Sequence, residues 1–280
     1  MTVPNVQEAI AKLEDLNPLD TYAYEKAIHI FRSIRQLPFL ILELTEPFHV
    51  FRTRTHEVDN FFNQISEIGI PPSHLVKSFA RCNRPFQPIF YCSDFRPTSY
   101  AELVEYWAEG KKIGDVIYVT ISKMLLSKPL KTLIITSPNP ADRTSPYDKS
   151  HGHAMEHFIN QYEGDYRAAM ILFYEFLFSK FRKPAKHDPK TYLITSAYCG
   201  LAFTKAEGNL DAIFYPSVPF GGQGVNFAIT GNFDFSHNFD TVLVARNKLM
   251  ITDFVPEPVF TEVELIQAKS IDLANKTIQW

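Results

Sequence analysis

The sequence predicts an α+β fold built as one compact unit. Hydrophobic residues make up 45% of the 280 residues, which is enough to bury a large core. Helical periodicity fills the N-terminal part, short β-prone runs follow among further helices, and ribbon-like strands come last. The sequence contains no internal repeat, low-complexity tract or Gly/Ser-rich linker, so nothing in it divides the chain into separate folding units.

The N-terminal part is predicted to be helical over residues 5–36. Asn5 can cap a first helix and Asp20 a second, because both side chains accept hydrogen bonds from backbone N–H groups of a first helical turn. Apolar residues recur at helical spacing in each segment. Residues 39–44 are apolar and β-prone. We therefore expect residues 1–45 to form a helical N-terminal extension.

The central part, residues 46–235, is predicted to form the main domain. Pro97 and Thr98 mark the start of a helix that carries Glu102. A long helical region has Gly164 as its expected break. The expected strands are residues 50–53, 89–91, 115–124, 131–136, 211–217 and 225–230. Further segments are a helix or loop over 60–68, a loop over 137–149, and helices over 154–181 and 191–205.

Residues 236–280 are predicted to form a β-ribbon packed on the core. Arg246 and Asn247 separate two β-prone runs, so we interpret them as a tight turn. The strands of this ribbon are expected at residues 241–245, 249–254 and 259–266.

The composition excludes several classes of protein. A formal net charge of −3 gives no general attraction for nucleic acid or anionic membranes. The three cysteines, Cys82, Cys92 and Cys199, form no CxxC pair, which favours a reducing compartment over a disulfide framework. No signal-peptide pattern and no apolar run of spanning length is visible. We expect a cytoplasmic protein that binds neither nucleic acid nor a membrane.

The standard motifs GxSxG, HExxH, GxGxxG and the P-loop are absent from the sequence. Gly221, Gly222 and Gly224 form a glycine-rich turn whose spacing matches no dinucleotide fingerprint. We interpret it as a hairpin turn that needs positive φ angles, which glycine adopts without steric cost.

A histidine run is the one pattern that suggests a metal. His151, His153 and His157 form HxHxxxH, and the last two would share one face of a helix. The run follows a polar loop, however, and no third, carboxylate ligand is apparent. We interpret it as solvated surface and expect no metal site.

Polar side chains beside the predicted strands are the candidates for chemistry. A carboxylate near a cluster of hydrogen-bond donors and a tyrosine is a plausible catalytic pocket. Here the carboxylate lies on the helix that follows a short buried strand. The donors lie on one earlier strand, beside the short strand itself, and on two later strands. The candidates are Arg52, Arg81, Asn83, Tyr91, Glu102, Ser217 and Asn226.

Taken in order, these residues resemble the RES domain family, which is named for its arginine, glutamate and serine. The family shows an aromatic-Arg strand, then a Gly-Arg-aromatic-Asn turn leading to a tyrosine, then a helical glutamate. A Tyr-Pro-Ser strand end and a Gly-Val-Asn strand come later. The resemblance covers about residues 46 to 235. The matching positions are Phe51-Arg52, Arg81 with Asn83, Tyr91, Glu102, Tyr215-Pro216-Ser217 and Val225-Asn226.

The sequence departs from the family pattern at three positions near Arg81. Ala80 stands where the family has a glycine, and Cys82 stands where it has an aromatic residue. Phe86 replaces the glycine that usually follows the proline. Ala80 and Phe86 can change the shape of the turn that carries Arg81. Residues 138–190 are also longer than a minimal domain of this family needs.

The resemblance implies an ADP-ribosyltransferase-like mixed sheet core with flanking helices. It also implies an enzyme that consumes NAD by cleaving the nicotinamide–ribose bond, as the toxins of Xre–RES toxin–antitoxin systems do. NAD would be the substrate rather than a cofactor, with water or inorganic phosphate as the attacking group. The expected partners are an Xre-type protein antitoxin and a second copy of the chain in a homodimer.

The resemblance also implies a role for each candidate residue. Glu102 would stabilise the cation-like transition state, with Arg52 and Ser217 as the other catalytic residues. The guanidinium groups of Arg52 and Arg81 would hold the pyrophosphate or an attacking phosphate. Ser217 would donate a hydrogen bond to ribose or to the carboxamide. The ring of Tyr91 would stack on nicotinamide or adenine, and Asn83 and Asn226 would position the backbone or the substrate.

Two alternatives to this prediction remain open at the level of sequence. The chain could transfer ADP-ribose to a macromolecule instead of to a small nucleophile. It could also be a non-catalytic RES-like protein that binds a nucleotide or a protein partner, which the departures at Ala80, Cys82 and Phe86 favour.

Overall fold

The computed structural model describes residues 1–56, 59–184, 188–205, 210–219, 223–231, 233, 238–255 and 258–280. It confirms the α+β class, because a large mixed sheet is flanked by helices. The predicted boundary at residues 235 and 236 lies outside the described residues, as do Gly221 and Gly222 of the predicted glycine turn.

The helices form two groups along the chain. The N-terminal helices are α1 (Val3–Glu14) and α2 (Ala23–Ser33), and a single turn, α3 (Ile65–Ile68), follows. Gly164 begins a helix with φ +57, so the predicted break at this residue is confirmed. The later helices are α4 (Arg96–Trp107), α5 (Pro146–Asn160), α6 (Gly164–Arg182) and α7 (Pro189–Lys205).

The main sheet has nine strands in the order β1-β5-β6-β7-β3-β2-β4-β8-β9. Neighbouring strands are antiparallel except for the parallel pair β5 and β6. A separate hairpin, β10 and β11, was not predicted from the sequence. The strands are β1 (Ile41–Leu44), β2 (Phe48–His56), β3 (Ile89–Ser93), β4 (Val116–Leu126), β5 (Leu130–Ile134), β6 (Ala212–Pro216), β7 (Val225–Thr230), β8 (Phe239–Phe254), β9 (Pro258–Gln267), β10 (Ser270–Asp272) and β11 (Thr277–Gln279).

The N-terminal helices pack against the later helical group. Helix α1 contacts α6, and α2 contacts α7. Gly200 of α7 allows the close approach, since a Cβ atom there would lie 2.1 Å from the hydroxyl oxygen of Tyr24. Buried side chains such as Phe31 and Tyr198 join this group to the core beneath the sheet. Helix α6 also contacts β6, so the helical group packs against the sheet.

The predicted turn at Arg246 and Asn247 is wrong. Strand β8 continues through both residues, and both side chains are buried. Arg246 forms ion pairs with Asp59, which lies far from it in sequence, and with Glu264 of the neighbouring strand β9. These partners stabilise a buried arginine in mid-strand, where local turn propensity alone would place a loop.

Three helix starts also differ from the sequence prediction. Thr2, not Asn5, caps α1, because the Thr2 hydroxyl accepts a hydrogen bond from the backbone N–H of Asn5. Helix α2 begins at Ala23, beyond the predicted cap Asp20. Helix α5 begins at Pro146 inside the predicted loop, because Ser145 caps it and proline fits a first helical position.

No helix within the described ranges is long and apolar enough to span a membrane.

Candidate functional site

A row of polar side chains crosses the centre of the sheet. Tyr215 of β6 lies opposite Asn226 of β7, which lies opposite Ser93 of β3. Residues directly opposite each other in antiparallel strands project to the same face, so the three side chains lie side by side. The Ser93 hydroxyl donates a 2.8 Å hydrogen bond to Asn226 Oδ1, which fixes the orientation of the amide. With Oδ1 bound to Ser93, the amide Nδ2 of Asn226 is free to donate a hydrogen bond to another acceptor, which is Glu102.

Helix α4 brings Glu102 onto this row. The helix begins shortly after β3 ends and packs against β2 and β3. Glu102 Oε1 accepts a 2.6 Å hydrogen bond from Asn226 Nδ2 and a 2.7 Å hydrogen bond from the Ser217 hydroxyl. Two donors on one oxygen hold the carboxylate in a single orientation. Among the described residues, Oε2 accepts no hydrogen bond and is available to a ligand.

Gly224 sets the distance between the helix and the strand ends. A Cβ atom at this position would lie 2.2 Å from Thr98 Oγ1, so only glycine fits against the first turn of α4. Its carbonyl accepts a 2.8 Å hydrogen bond from the backbone N–H of Ser217. Gly224 does not have a positive φ, so the predicted reason for a glycine here is wrong. Close packing, not a left-handed turn, requires it.

Arg52 lies on β2 with a largely enclosed guanidinium group. Its Nη1 donates a 2.8 Å hydrogen bond to the carbonyl of Tyr91, and the group lies 4.7 Å from the ring centroid of Phe90. Its Nε is buried and has no hydrogen-bond partner among the described residues. Burial, followed by the positive charge of Arg54, lowers the pKa of Arg52 to about 10. The group remains a cation at neutral pH.

Asn83 and Tyr91 hold the turn that precedes β3. The Tyr91 hydroxyl donates a 2.8 Å hydrogen bond to Asn83 Oδ1 and accepts one from the backbone N–H of Cys82. Burial raises the pKa of Tyr91, so its hydroxyl stays protonated. The backbone N–H of Ala80 donates to the Asn83 carbonyl and closes the turn. Asn83 thus positions backbone, and the Tyr91 hydroxyl is occupied within the protein.

Arg81 extends from this turn to the C-terminal end of α6. Its Nη1 and Nη2 donate hydrogen bonds of 3.1 and 3.2 Å to the carbonyls of Lys180 and Lys183. The last carbonyls of a helix lack partners within the helix and carry partial negative charge, so a guanidinium is well placed there. Each Nη nitrogen carries a second N–H, so the group can still donate to a ligand.

Phe86 shows how the chain accommodates one departure from the family pattern. Its φ is +64, in the left-handed region that glycine favours. The turn therefore has a conformation suited to glycine, although a phenylalanine occupies it.

One cavity of about 870 Å³ joins these side chains. Six of the seven predicted residues line it, and Ser217 lies behind Glu102, fully buried. The loop before β3, the first turn of α4 and the start of α7 complete the wall. The predicted residues that line the cavity are Arg52, Arg81, Asn83, Tyr91, Glu102 and Asn226.

The sequence reasoning missed three side chains of this site. Ser93 and Tyr215 carry the polar row, and strand alternation could have found both, since Ser93 lies two residues after Tyr91 and Tyr215 two before Ser217. Tyr192 of α7 lines the cavity with its ring 5.6 Å from the Arg81 guanidinium. No pattern in the sequence distinguished Tyr192 from an ordinary helical residue.

The histidine run lies away from the cavity, on α5. The side chain of His153 is 82% exposed and lies 3.5 Å from the carboxylate of Glu156. Within the described ranges, no three His, Cys, Asp or Glu side chains are grouped closely enough to hold a metal ion.

No known family model matches this sequence, and no curated protein is significantly similar to it. The resemblance to the RES domain therefore depends on the ordered residues given above.

Proposed function

We propose that this chain cleaves the nicotinamide–ribose bond of NAD, as an enzyme of the RES type with an ADP-ribosyltransferase-like core. The observation that carries the proposal is the environment of Glu102. One oxygen of its carboxylate is held by Ser217 and Asn226, while the side chain faces a cavity that also contains Arg52 and Arg81. A fixed carboxylate and two guanidinium groups in one cavity match a substrate that has a pyrophosphate and develops positive charge on a sugar.

The chemistry of NAD needs only one carboxylate. Cleavage of the nicotinamide–ribose bond develops positive charge on the ribose, as in glycoside hydrolysis. Ordinary glycosidases need a second carboxyl group to protonate the leaving group. Nicotinamide leaves from a ring that is already cationic, so it departs neutral without a proton. Glu102 can therefore act alone by stabilising the ribose cation and accepting a hydrogen bond from a ribose hydroxyl.

Ser217 and Asn226 support this role by fixing the carboxylate. Their hydrogen bonds of 2.7 and 2.6 Å both go to Oε1, which leaves Oε2 for the substrate. A carboxylate that is already oriented need not reorganise when charge develops in the transition state. We infer that Ser217 acts through Glu102, since its hydroxyl donates to that residue and its side chain is fully buried.

Arg52 and Arg81 would bind the phosphate groups. Arg52 has a buried Nε without a protein partner, and no carboxylate of the described residues forms an ion pair with it. Burying an unneutralised cation is costly unless a ligand supplies the counter-charge. A cavity of about 870 Å³ lies within the size range of nucleotide-sized sites.

The proposal is tested by measuring nicotinamide release from NAD with purified protein. We expect Glu102→Gln to lower kcat by about 10²- to 10³-fold, the usual effect of removing one electrostatic stabiliser. Glu109→Gln is the matched control, because Glu109 is exposed just beyond the end of the same helix and does not line the cavity. No release by the folded unaltered protein, or equal release by Glu102→Gln, would contradict the proposal.

The same assay identifies the attacking group. With inorganic phosphate present, phosphorolysis gives ADP-ribose 1-phosphate, whereas hydrolysis gives ADP-ribose in its presence or absence. Adenine-labelled NAD adds a third arm, because label bound to a macromolecule indicates ADP-ribosyl transfer instead.

A further inference from the structure

Phe86 occupies a backbone conformation that costs free energy. Its φ of +64 lies in the left-handed region, where a bulky side chain is an outlier. The residue is also 63% exposed, so burial of its ring does not offset the cost. Strained residues persist where the surrounding structure fixes them, and they concentrate at ligand sites. The ring of Phe86 therefore needs an explanation other than packing.

The neighbours of Phe86 belong to the wall of the cavity. Its backbone N–H donates a 2.8 Å hydrogen bond to the carbonyl of Val76, which ties together the two loops before β3. The ammonium group of Lys77 lies 5.4 Å from the centroid of the Phe86 ring. Pro85, Val76 and Lys77 all line the cavity. An exposed aromatic face and a cation thus lie together at its margin.

We propose that Phe86 and Lys77 form a subsite for a purine base and its attached phosphate. Under the proposed function, on which this inference rests, the occupant is the adenosine 5′-phosphate half of NAD. The base would stack on the exposed phenylalanine ring, which favours any planar π-system. Lys77 would place its ammonium group near the phosphate as a mobile point charge.

The position of Glu102 favours the adenosine half as the occupant. The bond that breaks must lie at Glu102, which is held over the strand ends by Ser217 and Asn226. The loops that carry Lys77 and Phe86 form a different part of the cavity wall from this polar row. The non-reacting half of a dinucleotide extends away from the reacting ribose, and the loops offer it a ring and a cation.

Direct binding tests the subsite without relying on catalysis. Calorimetric titration with adenosine 5′-monophosphate is expected to give binding that Phe86→Gly and Phe86→Ala each weaken by about 5- to 150-fold, the range measured for single base–aromatic stacks. Ribose 5-phosphate, which has no base, is expected to bind the unaltered protein and both variants alike. Tyr22→Ala is the matched control, because Tyr22 is 67% exposed and lies outside the cavity wall.

Lys77→Met separates the phosphate contact from the stacking contact. We expect this variant to weaken the binding of adenosine 5′-monophosphate by about 2- to 5-fold, as for an exposed ion pair. Its affinity for adenosine, which lacks the phosphate, should not change.

Turnover connects the subsite to the reaction. Phe86→Gly is expected to raise KM for NAD and leave kcat unchanged, since a remote contact made equally in the ground and transition states affects KM alone. Its kcat/KM for nicotinamide mononucleotide, which has the reactive bond but no adenosine, should stay the same.

The outcomes separate this inference from the proposed function. Failure of the unaltered protein to bind adenosine 5′-monophosphate, or equal binding by Phe86→Gly and the unaltered protein, overturns the subsite. Binding that depends on Phe86 without any release of nicotinamide supports the subsite and contradicts the NAD-cleaving activity. Release of nicotinamide with an unchanged KM for NAD in Phe86→Gly supports the activity and overturns the subsite.

Discussion

Two arginines of the main sheet, Arg246 which is buried and Arg52 which is partly buried, have opposite surroundings. Arg246 in β8 donates to the carboxylates of Asp59 and Glu264 and lies between the rings of Phe61 and Tyr118. Burial alone would lower the pKa of Arg246, but its hydrogen bonds to both carboxylates raise it above the usual value. The protein itself neutralises this charge, so Arg246 has a structural role.

Arg52 in β2 has no such compensation. Among the described residues its guanidinium donates to one carbonyl, that of Tyr91, and burial lowers its pKa to about 10. It also lines the cavity beside Glu102, and Arg246 is not among the residues that line this cavity. A buried cation that is paired with carboxylates of the protein therefore indicates a structural role, whereas a partly buried cation without such partners at a cavity indicates a ligand site.

Replacing each arginine by methionine tests this comparison most strongly. We expect Arg246→Met to lower the free energy of unfolding by about 2–3 kcal/mol, because it removes charged hydrogen bonds whose carboxylates then return to water. Arg52→Met should change it by less than about 1 kcal/mol, since the lost hydrogen bond is offset by removal of a buried unneutralised charge. Urea denaturation measures both. Equal losses would show that the two sites do not differ.

Gly224→Ala tests whether the cavity side of the sheet depends on close packing. The new methyl group would overlap Thr98 Oγ1 and Cγ2, at 2.2 and 2.6 Å. We expect a loss of about 2 kcal/mol in the free energy of unfolding, typical of overpacking, and displacement of α4 with Glu102. Thr98→Ala in the same chain should recover part of this loss, and a double-mutant cycle measures the coupling. Strictly additive effects would exclude the contact as the cause.

Substitutions of Phe86 measure the strain at the cavity margin. Phe86→Gly and Phe86→Ala both remove the ring, but only glycine adopts φ +64 without steric cost. We expect the glycine variant to be more stable than the alanine variant by about 1 kcal/mol in thermal or urea unfolding. Greater stability of the alanine variant would mean that this backbone is not strained.

Asp148 extends the comparison to a buried carboxylate, since its Oδ1 accepts no hydrogen bond from the described residues. Burial raises the pKa of Asp148, although Ser145 donates a hydrogen bond to it. The folded protein thus holds the proton more tightly than the unfolded chain, and this contribution to stability is lost as the pH rises through the raised pKa. We expect Asp148→Asn to raise the free energy of unfolding by about 1 kcal/mol at pH 7.5.

The pH dependence provides the control for Asp148. The gain from Asp148→Asn should shrink at pH 4, because the raised pKa leaves more of the side chain protonated in the folded protein than in the unfolded chain. Denaturation curves at the two pH values check this, and a gain that grows at pH 4 would contradict the direction of the shift.

Local patterns predicted most of the fold. Alternating branched and aromatic residues located the central strands, and Gly164 located the division between α5 and α6. The same local signals failed at Arg246 and Asn247, because their partners lie outside the local segment: Asp59 is far away in sequence, and Glu262 and Glu264 lie on the next strand, β9. Turn propensity describes only neighbouring residues, so tertiary pairing overrode it.

The residues of the candidate site were predictable only where a local motif marks them. Glu102, Ser217 and Asn226 could be named from the order of their motifs, but their mutual hydrogen bonds depend on strand register. The contact between Gly224 and Thr98 and the anchoring of Arg81 on α6 had no local signal at all. Such contacts arise from packing between elements, which a single sequence does not encode in any short pattern.

The most direct test of the account is a crystal structure of the Glu102→Gln variant with NAD. We expect the ribose that bears nicotinamide to lie about 3 Å from the side chain at position 102. We also expect the pyrophosphate to contact the Arg52 guanidinium. A dinucleotide bound outside this cavity, or bound within it with that ribose far from position 102, would contradict the account.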